Sequence, residues 1–295
     1  MLAAAIAVTA AVPARTITLP DEAASGPPPL GAASSPPGNN TEGAIEIGSG
    51  MPSQAEHTSL SQPLPPTRNE TIAAFAGRSP RYWGLQAPGV LSRLPRGASG
   101  IALTIDFCGG PGGNGFDQDL IAVLRARRIP ATLFMNSRWI NANAGAVREL
   151  AAEPLFELAN HGTTHRPLST TGNSAYGITG TKTIEEVYDE IMANDAQLTA
   201  VTGSRPRYFR SGTAYLDDVA ADIVNSLGIT PAGFSINADG GATFPPDTVT
   251  REAAKATPGD IIICHGNHPG RGTAQGLAVA LDKLTATGKR FIRLP

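Results

Sequence analysis

The chain has 295 residues, which is enough for one large domain or two small ones. Its formal net charge is -2, so we expect no nucleic-acid partner, because the chain has no excess of positive charge to neutralise phosphates. The chain has only 2 cysteines, which excludes a fold built on a disulfide framework. For Cys108 and Cys264, two buried thiols are favoured over a single bridge.

The N-terminal stretch, residues 1–14, is a short apolar run that ends in small residues. It resembles the apolar region and cleavage site of a secretory signal, although the usual positive start is missing. We interpret it as the remnant of a signal peptide, with an alanine-rich tail as the alternative. The run is too short to span a bilayer, which takes about 20 residues. We therefore expect a secreted, periplasmic or cell-envelope protein without a transmembrane segment.

Residues 15–72 are rich in proline, glycine and serine and show no periodicity, which is typical of a linker. Residues 73–295 are then predicted to form the folded domain. From about residue 100, apolar runs that suit buried strands alternate with helical patterns. The predicted strands are 101–106, 131–135, 155–159, 207–210, 232–236, 261–264 and 291–294. The predicted helices are 117–128, 142–153, 183–201, 216–227 and 272–287, the third opened by a capping box from Thr183 to Glu186.

The alternation of strands and helices implies parallel strands joined by helical crossovers. Seven such units over roughly 200 residues predict an α/β fold of the incomplete (β/α)7 barrel type. A doubly wound open sheet is the alternative. In either fold, ligands gather at the carboxyl ends of the strands.

Polar residues follow five of the predicted strands directly. Any one of them could cap a helix or a turn, but together they indicate a site at one end of the sheet. They are Asp106, the pair His161 and His165, Arg210, the pair Asn237 and Asp239, and His265.

The spacing of His161 and His165 suits two ligands of a divalent metal ion. Gly162-Thr163-Thr164 between them is poor helix sequence, so we expect a tight turn. No glutamate follows His161, which excludes the H-E-x-x-H motif of zinc proteases. The alternative is two histidines that bond loop carbonyls.

These residues resemble the motifs of the polysaccharide deacetylase family (NodB homology, carbohydrate esterase family 4). Thr104-Ile105-Asp106-Phe107 corresponds to T-F-D-D, His161-Gly-Thr-Thr-His165 to H-[ST]-x-x-H, and Ile263-Cys264-His265 to L-x-H. The weaker matches are Arg210-Ser-Gly-Thr-Ala214 for R-P-P-Y-G and Asn237-Ala-Asp239 for an acid-bearing strand end. The resemblance covers about residues 100–295 and marks the chain as a divergent member.

The resemblance implies a hydrolase that removes N- or O-acetyl groups from a polysaccharide such as chitin or peptidoglycan. It implies a divalent ion, foremost Zn²⁺, held by His161, His165 and an aspartate, here Asp106. Asp106 would also be the general base and His265 the general acid. In the same scheme Arg210 orients Asp106 and Asp239 tunes His265, while a backbone N–H near Thr213 binds the oxyanion.

The chain departs from the family at Phe107, where the family's second aspartate binds the metal. Asp106 would then bind the metal itself, or Asp117 or Asn114 in the following glycine-rich loop would replace the missing oxygen, or the site is weak or without metal. Cys108 is a further candidate because zinc accepts thiolate, but an oxygen ligand is favoured.

Two other functions compete with the deacetylase. One is a catalytically inactive carbohydrate-binding relative, which the loss at Phe107 suggests. The other is an amidohydrolase acting on a small amide that is not a glycan, because a fold does not fix the substrate. Trp83 and Trp139 would stack on sugars or pack in the core, and His268 would line the subsite or bond its own loop.

Overall fold

The computed structural model describes residues 64–295. The predicted signal segment and most of the predicted linker lie outside these residues. The described chain forms eight helices: α1 Arg68–Phe75, α2 Gln118–Arg127, α3 Ser137–Ala142, α4 Ala144–Ala151, α5 Ile184–Thr202, α6 Asp218–Ser226, α7 Pro246–Ala253 and α8 Gly272–Ala286. No helix in this part of the chain is both long and apolar enough to cross a membrane.

Twelve strands accompany the helices in the described residues. They are β1 Trp83–Gly84, β2 Gly100–Phe107, β3 Ala131–Met135, β4 Phe156–Asn160, β5 Ser174–Ala175, β6 Ile178–Thr179, β7 Tyr208–Phe209, β8 Leu216–Asp217, β9 Thr230–Pro231, β10 Ile236–Asn237, β11 Ile261–His265 and β12 Arg290–Ile292.

Eight of these strands form one curled sheet, in the order β10-β11-β2-β3-β4-β7-β9, with β12 also paired to β2. Every pair in this sheet is parallel. The end strands β9 and β10 form no ladder with each other in the described chain, so the barrel stays open. The predicted incomplete (β/α)7 barrel is thereby confirmed, and the doubly wound sheet is excluded.

Of the predicted strand 232–236, only Ile236 lies in a strand, at the start of β10, while β9 ends just before the predicted range at Pro231. The guanidinium of Arg210 donates to the backbone carbonyls of Ala232 and Gly233, at 3.2 and 2.8 Å. A parallel bridge from Leu91 to Ala232 takes the place of a continuous ladder. Two carbonyls of this stretch therefore accept from a side chain, while its N–H groups donate to Phe209 on β7, to Leu91 and to Ile261 on β11.

Three helices differ from the predicted elements. Helix α1 crosses the predicted boundary between linker and domain, and Thr67 and Glu70 form a full capping box at its start. Helices α3 and α7 were not predicted. Helix α7 begins with a proline in its first turn, where the missing N–H is not needed. The capping box predicted before α5 is only half formed. The Thr183 hydroxyl accepts the backbone N–H of Glu186, whereas the Glu186 carboxylate accepts the backbone N–H of Lys182.

Strand β2 is buried on both faces, and its side chains alternate between two cores. Ile101, Leu103, Ile105 and Phe107 pack into the core between sheet and helices. Ala102 belongs to a smaller inner core inside the curled sheet. Thr104 and Asp106 share this inward side, so β2 brings its polar residues to the inside of the barrel.

Candidate metal and acid–base site

Asp106 lies at the carboxyl end of β2, beside the end of β11, and the two strands pair Asp106 with His265. Its carboxylate is buried, with 3% of the side chain exposed. The predicted clustering of polar residues at the strand ends is therefore present at these two strands. Ligands of parallel α/β sheets bind at this end.

Arg210, directly after β7, holds the Asp106 carboxylate in one orientation. Its Nη1 atom donates to Asp106 Oδ1 at 2.6 Å, and Nη2 donates to Thr104 Oγ1 at 2.9 Å. The guanidinium also lies 4.1 Å from the centre of the Phe134 ring. The pair is fully buried, so each charge depends on the other. Arg210 thus leaves Asp106 Oδ2 directed into the site.

His161, directly after β4, points one ring nitrogen into the site. Its Nδ1 lies 2.9 Å from the carbonyl oxygen of Arg210, which can only accept, so Nδ1 carries the proton. Nε2 then faces Asp106 Oδ2 and Cys108 Sγ, both at 3.6 Å. Burial lowers the pKa of His161, but the charges of Asp106 and Cys108 raise it more, so the net shift is upward. This arrangement leaves Nε2 available as a ligand atom.

His165 completes the histidine pair on the predicted tight turn. Its backbone has a positive φ of 62°, and its ring centroid lies 4.9 Å from that of His161. The buried Nε2 atom has no hydrogen-bond partner in the structure. The carboxylate of Glu190 on α5 accepts the N–H groups of Thr164 and Arg166 and so fixes the turn. No sequence motif marked Glu190, because its role depends on a contact between α5 and a distant loop.

Cys108 lies two residues after Asp106 and turns back toward the inside of the barrel. One donor atom each from Cys108, His161 and His165 lies within 4.8 Å of the others, the one group of this kind in the described chain. Burial raises the pKa of the Cys108 thiol, but the nearby charge of His165 and hydrogen bonds from the histidines lower it well below its usual value. The cysteine is therefore placed to be a thiolate.

Phe107, by contrast, points away from the site. Its ring is fully buried in the core between sheet and helices, 4.4 Å from the ring centre of Trp139 and 6.3 Å from that of Phe116. The side chain at this position lies on the outer face of β2, so Phe107 supplies no donor to the site. A ligand that replaces the family's second aspartate has to come from another residue.

The two oxygen ligands proposed for the loop after β2 are engaged elsewhere. Asp117 caps α2, where its Oδ1 accepts the N–H of Leu120 at 3.0 Å. The side-chain oxygen of Asn114 accepts the N–H of Gly110 at 2.8 Å. Both residues stay outside the group of donors around the histidines. Of the replacement donors considered from the sequence, Cys108 is the one whose donor atom lies with those of the two histidines.

The donor set fits a zinc-like ion. Two imidazole nitrogens and a thiolate are ligands that zinc prefers, and sites with three protein ligands keep a position open for catalysis. The unpartnered, buried Nε2 of His165 has the environment that a bound cation would complete. Asp106 lies next to this group without belonging to it.

His265 and Asp239 form the second charged pair. Asp239 Oδ1 lies 2.9 Å from His265 Nδ1, and its Oδ2 accepts the backbone N–H of His265 at 2.7 Å and the hydroxyl of Thr273 at 2.9 Å. Burial lowers the pKa of His265, but Asp239 and the nearby Cys108 raise it well above its usual value. Burial raises the pKa of Asp239, and His265 more than offsets this. His265 is thus held protonated beside the donor group.

Trp139 and His268, also considered from the sequence, are not among the clustered donors. Trp139 is fully buried and donates its indole N–H to the carbonyl of Gly115 at 2.7 Å, so it is a core residue. His268 lies half-buried in the loop after β11. Cys108 and Cys264 are both free thiols.

Comparisons with known proteins agree with this geometry. The sequence model of the polysaccharide deacetylase family matches residues 94–232. A chitooligosaccharide deacetylase of Bradyrhizobium sp. (strain ANU 289) is 28% identical over 177 residues, which are 59% of this chain and 73% of the relative.

Solved structures show the same fold at lower identity. A CE4-family pseudoenzyme from Bacillus anthracis is 19% identical with a TM-score of 0.59, covering 70% of this chain and 67% of that one. A peptidoglycan N-acetylglucosamine deacetylase is 21% identical with a TM-score of 0.59, covering 69% of this chain and 90% of that one. The family match over residues 94–232 and the curated relative support a NodB-like polysaccharide deacetylase, and the solved structures share its fold.

Proposed function

We propose that this protein is a metal-dependent deacetylase that removes acetyl groups from a polysaccharide such as chitin or peptidoglycan. The observation that carries the proposal is the group of Cys108, His161 and His165 flanked by two oriented acid–base residues, Asp106 and His265. The chitooligosaccharide deacetylase relative supports an acetylated glycan as substrate.

The metal ligands in this proposal are Cys108, His161 and His165, with Zn²⁺ as the ion. When bound, the ion would polarise the acetyl carbonyl and acidify the attacking water. Asp106 then remains free of the metal for proton transfer, which separates the two roles that we assigned to it from the sequence. Cys108 replaces the family's second aspartate as the third ligand.

The chain's own residues supply the proton transfers. Asp106 accepts a proton from the attacking water through Oδ2, because Arg210 occupies Oδ1. His265 donates a proton from Nε2 to the leaving nitrogen or oxygen, because Asp239 occupies Nδ1. The backbone N–H of Thr213, in the loop after Arg210, is proposed to bind the developing oxyanion.

The motive for an inactive, carbohydrate-binding relative was the loss of an acid at Phe107. This reason is weaker in the folded protein, because Phe107 faces the core between sheet and helices and Cys108 offers a donor atom near the two histidines. An amidohydrolase acting on small amides uses the same acid–base chemistry, so the substrates in the experiment distinguish it. Export to the cell envelope remains part of the proposal and is checked by fractionating cells.

The experiment measures bound metal and acetate release for the same set of variants. We expect about one zinc per chain in the unmodified protein, a loss of zinc in Cys108→Ala and His165→Ala, and retained zinc in Cys264→Ala, the matched control at the other buried cysteine. Substitution by Co²⁺ should give a sulfur-to-cobalt absorption band that Cys108→Ala abolishes. Asp106→Asn should keep the metal and lose acetate release.

Two results would contradict the proposal. One is a purified protein that takes up no metal and releases no acetate from any acetylated glycan. The other is hydrolysis confined to small amides, which would favour the amidohydrolase. Loss of zinc in Asp106→Asn together with its retention in Cys108→Ala would return Asp106 to the ligand role.

A further inference from the structure

Three aromatic rings form a row, and the middle one, Tyr215, follows Arg210 in the same loop. The ring centroids of Trp83 and Tyr215 are 5.8 Å apart, and those of Tyr215 and Tyr176 are 5.4 Å apart. Tyr176 is 74% exposed at the outer end of the row, whereas Trp83 and Tyr215 are half-buried. We call these three residues the aromatic ledge.

The ledge continues directly from the segments that carry site residues. Gly212 donates its N–H to the carbonyl of Arg166 at 3.2 Å, and Leu168 donates to the carbonyl of Tyr215 at 3.0 Å. The chain from Arg210 to Tyr215 is therefore bonded alongside the chain that follows His165. Tyr215 is therefore the ledge residue joined most directly to the segments that carry Arg210 and His165.

Tyr176 occupies a strained position at the tip of a hairpin. It lies with Gly177 in the two-residue turn between β5 and β6, and both have positive φ angles, 52° and 76°. Such turns favour asparagine followed by glycine, because asparagine tolerates the left-handed region far better than an aromatic residue. Backbone strain of this kind concentrates where function requires a particular side chain.

The hairpin that presents Tyr176 is firmly held at its base. The hydroxyl of Thr181 accepts the N–H of Ser169 at 2.7 Å and donates to the carbonyl of Ser169 at 2.6 Å. Both side chains are fully buried. The exposed ring is therefore positioned before any ligand arrives, which reduces the entropy lost on binding.

We propose that the aromatic ledge binds the sugar units next to the one whose acetyl group is removed, so that the substrate is a glycan chain of several units. This deepens the proposed function and rests on it for the identity of the reacting unit. The C–H faces of pyranose rings are apolar and pack against aromatic rings, while the ring hydroxyls stay in water. A folded protein fits the ledge less well, because three aromatic residues bury about 150–250 Å² each at most. A stable protein interface needs about 800 Å² from each partner.

The test measures binding of N-acetylglucosamine oligomers of increasing length by calorimetry and by tryptophan fluorescence. Trp83 reports on the ledge, while the fully buried Trp139 supplies a constant background. We expect affinity to rise with length in the unmodified protein. Tyr176→Asn should weaken binding of long oligomers by about threefold to tenfold, with a smaller loss for the monomer. Tyr176→Phe should keep most of the affinity, and Val279→Asn, at an exposed position on α8, is the matched surface control.

Thermal unfolding separates lost binding from lost folding. Because asparagine suits the turn, Tyr176→Asn should unfold at the same temperature as the unmodified protein or higher. Unchanged binding of long oligomers in this variant would overturn the proposal, as would affinity that does not depend on oligomer length. Length-dependent binding that requires Tyr176 without any acetate release would support the ledge and contradict the proposed deacetylase.

Discussion

At the scale of single residues, the site consists of two catalytic candidates that each have a charged partner. Arg210 takes one oxygen of Asp106 and leaves the other free, and Asp239 takes one nitrogen of His265 and leaves the other free. In each pair, the partner decides which atom of the catalytic group can exchange a proton. The charge of Asp239 also keeps His265 protonated at a pH where a free imidazole would be neutral.

The first prediction concerns the pH dependence of catalysis. His265 acts as an acid only while protonated, so the rate should fall as the pH rises through the pKa of His265. Asp239 raises this pKa, and Asp239→Asn removes the charge, so the alkaline limb of the kcat/KM profile should move to lower pH. Asp260→Asn is the control, because this buried carboxylate bonds Ser235 and Thr257 instead. A uniform loss of rate in Asp239→Asn with an unmoved limb would contradict this role.

The residue scale also shows what the sequence could reveal about the site. Asp106, His161, His165, Arg210, Asp239 and His265 were all selected from the sequence, because strand ends and motif spacing are local properties. Cys108 was not favoured as a ligand, because alignment with the family motif placed the missing ligand at Phe107. Glu190 and Thr273 were missed, because each acts through a contact across the fold.

At the scale of elements, side chains alternate along β2, so that polar residues face the site and apolar residues face the helices. Residues 104 and 106 face the inside of the barrel, and Ile105 and Phe107 face the helices. Most strands of the eight-stranded sheet were found from their apolar runs, while β9 and β10 were not separated and the two-residue strands β1, β5, β6 and β8 were missed. Their division depends on Arg210 bonding two backbone carbonyls, which no local pattern contains.

The second prediction compares two ways of introducing an acid into β2. Phe107→Asp should lower the free energy of unfolding by about 3–5 kcal/mol or more and should not increase metal affinity, because the carboxylate would lie in an apolar core. Cys108→Asp should keep the fold and bind metal, with affinity shifted toward oxygen-preferring ions such as Mn²⁺. Urea unfolding and metal titration measure both effects. A folded Phe107→Asp variant with increased metal affinity would show that the side chain at residue 107 reaches the site.

At the scale of the whole molecule, the curled sheet encloses a small inner core beneath the site. Leu94 before β2 and Leu294 after β12 belong to this core together with Phe134, whose ring lies under the Arg210 guanidinium. The C-terminal end is tied in place by the N–H of Leu294, which donates to Thr132 Oγ1 at 2.9 Å. The incomplete barrel was predictable from the alternation of strands and helices. The packing of Leu94 and Leu294 into the inner core was not predictable, because it joins residues that are far apart in the sequence.

The third prediction tests how much the packing of Leu294 in the inner core stabilises the fold. Leu294 is 2% exposed, so Leu294→Ala should reduce the free energy of unfolding by about 2–5 kcal/mol through lost burial and a cavity. Val279→Ala, at a site that is 45% exposed, should change it by about 0.5 kcal/mol or less. Urea unfolding of both variants gives the comparison. Equal effects of the two substitutions would mean that the C-terminal segment contributes little to the inner core.

The alternation of β2 has a consequence for how relatives of this protein are sorted into active and inactive members. A residue-by-residue alignment scores position 107 as a lost metal-binding aspartate and would classify such a chain as degenerate. Sorting by the direction of each side chain asks instead whether residues 106 and 108 carry groups that can bind a metal or transfer a proton. In the metal site that we propose, the donor is displaced by one residue along the chain, and the donor atom changes from oxygen to sulfur.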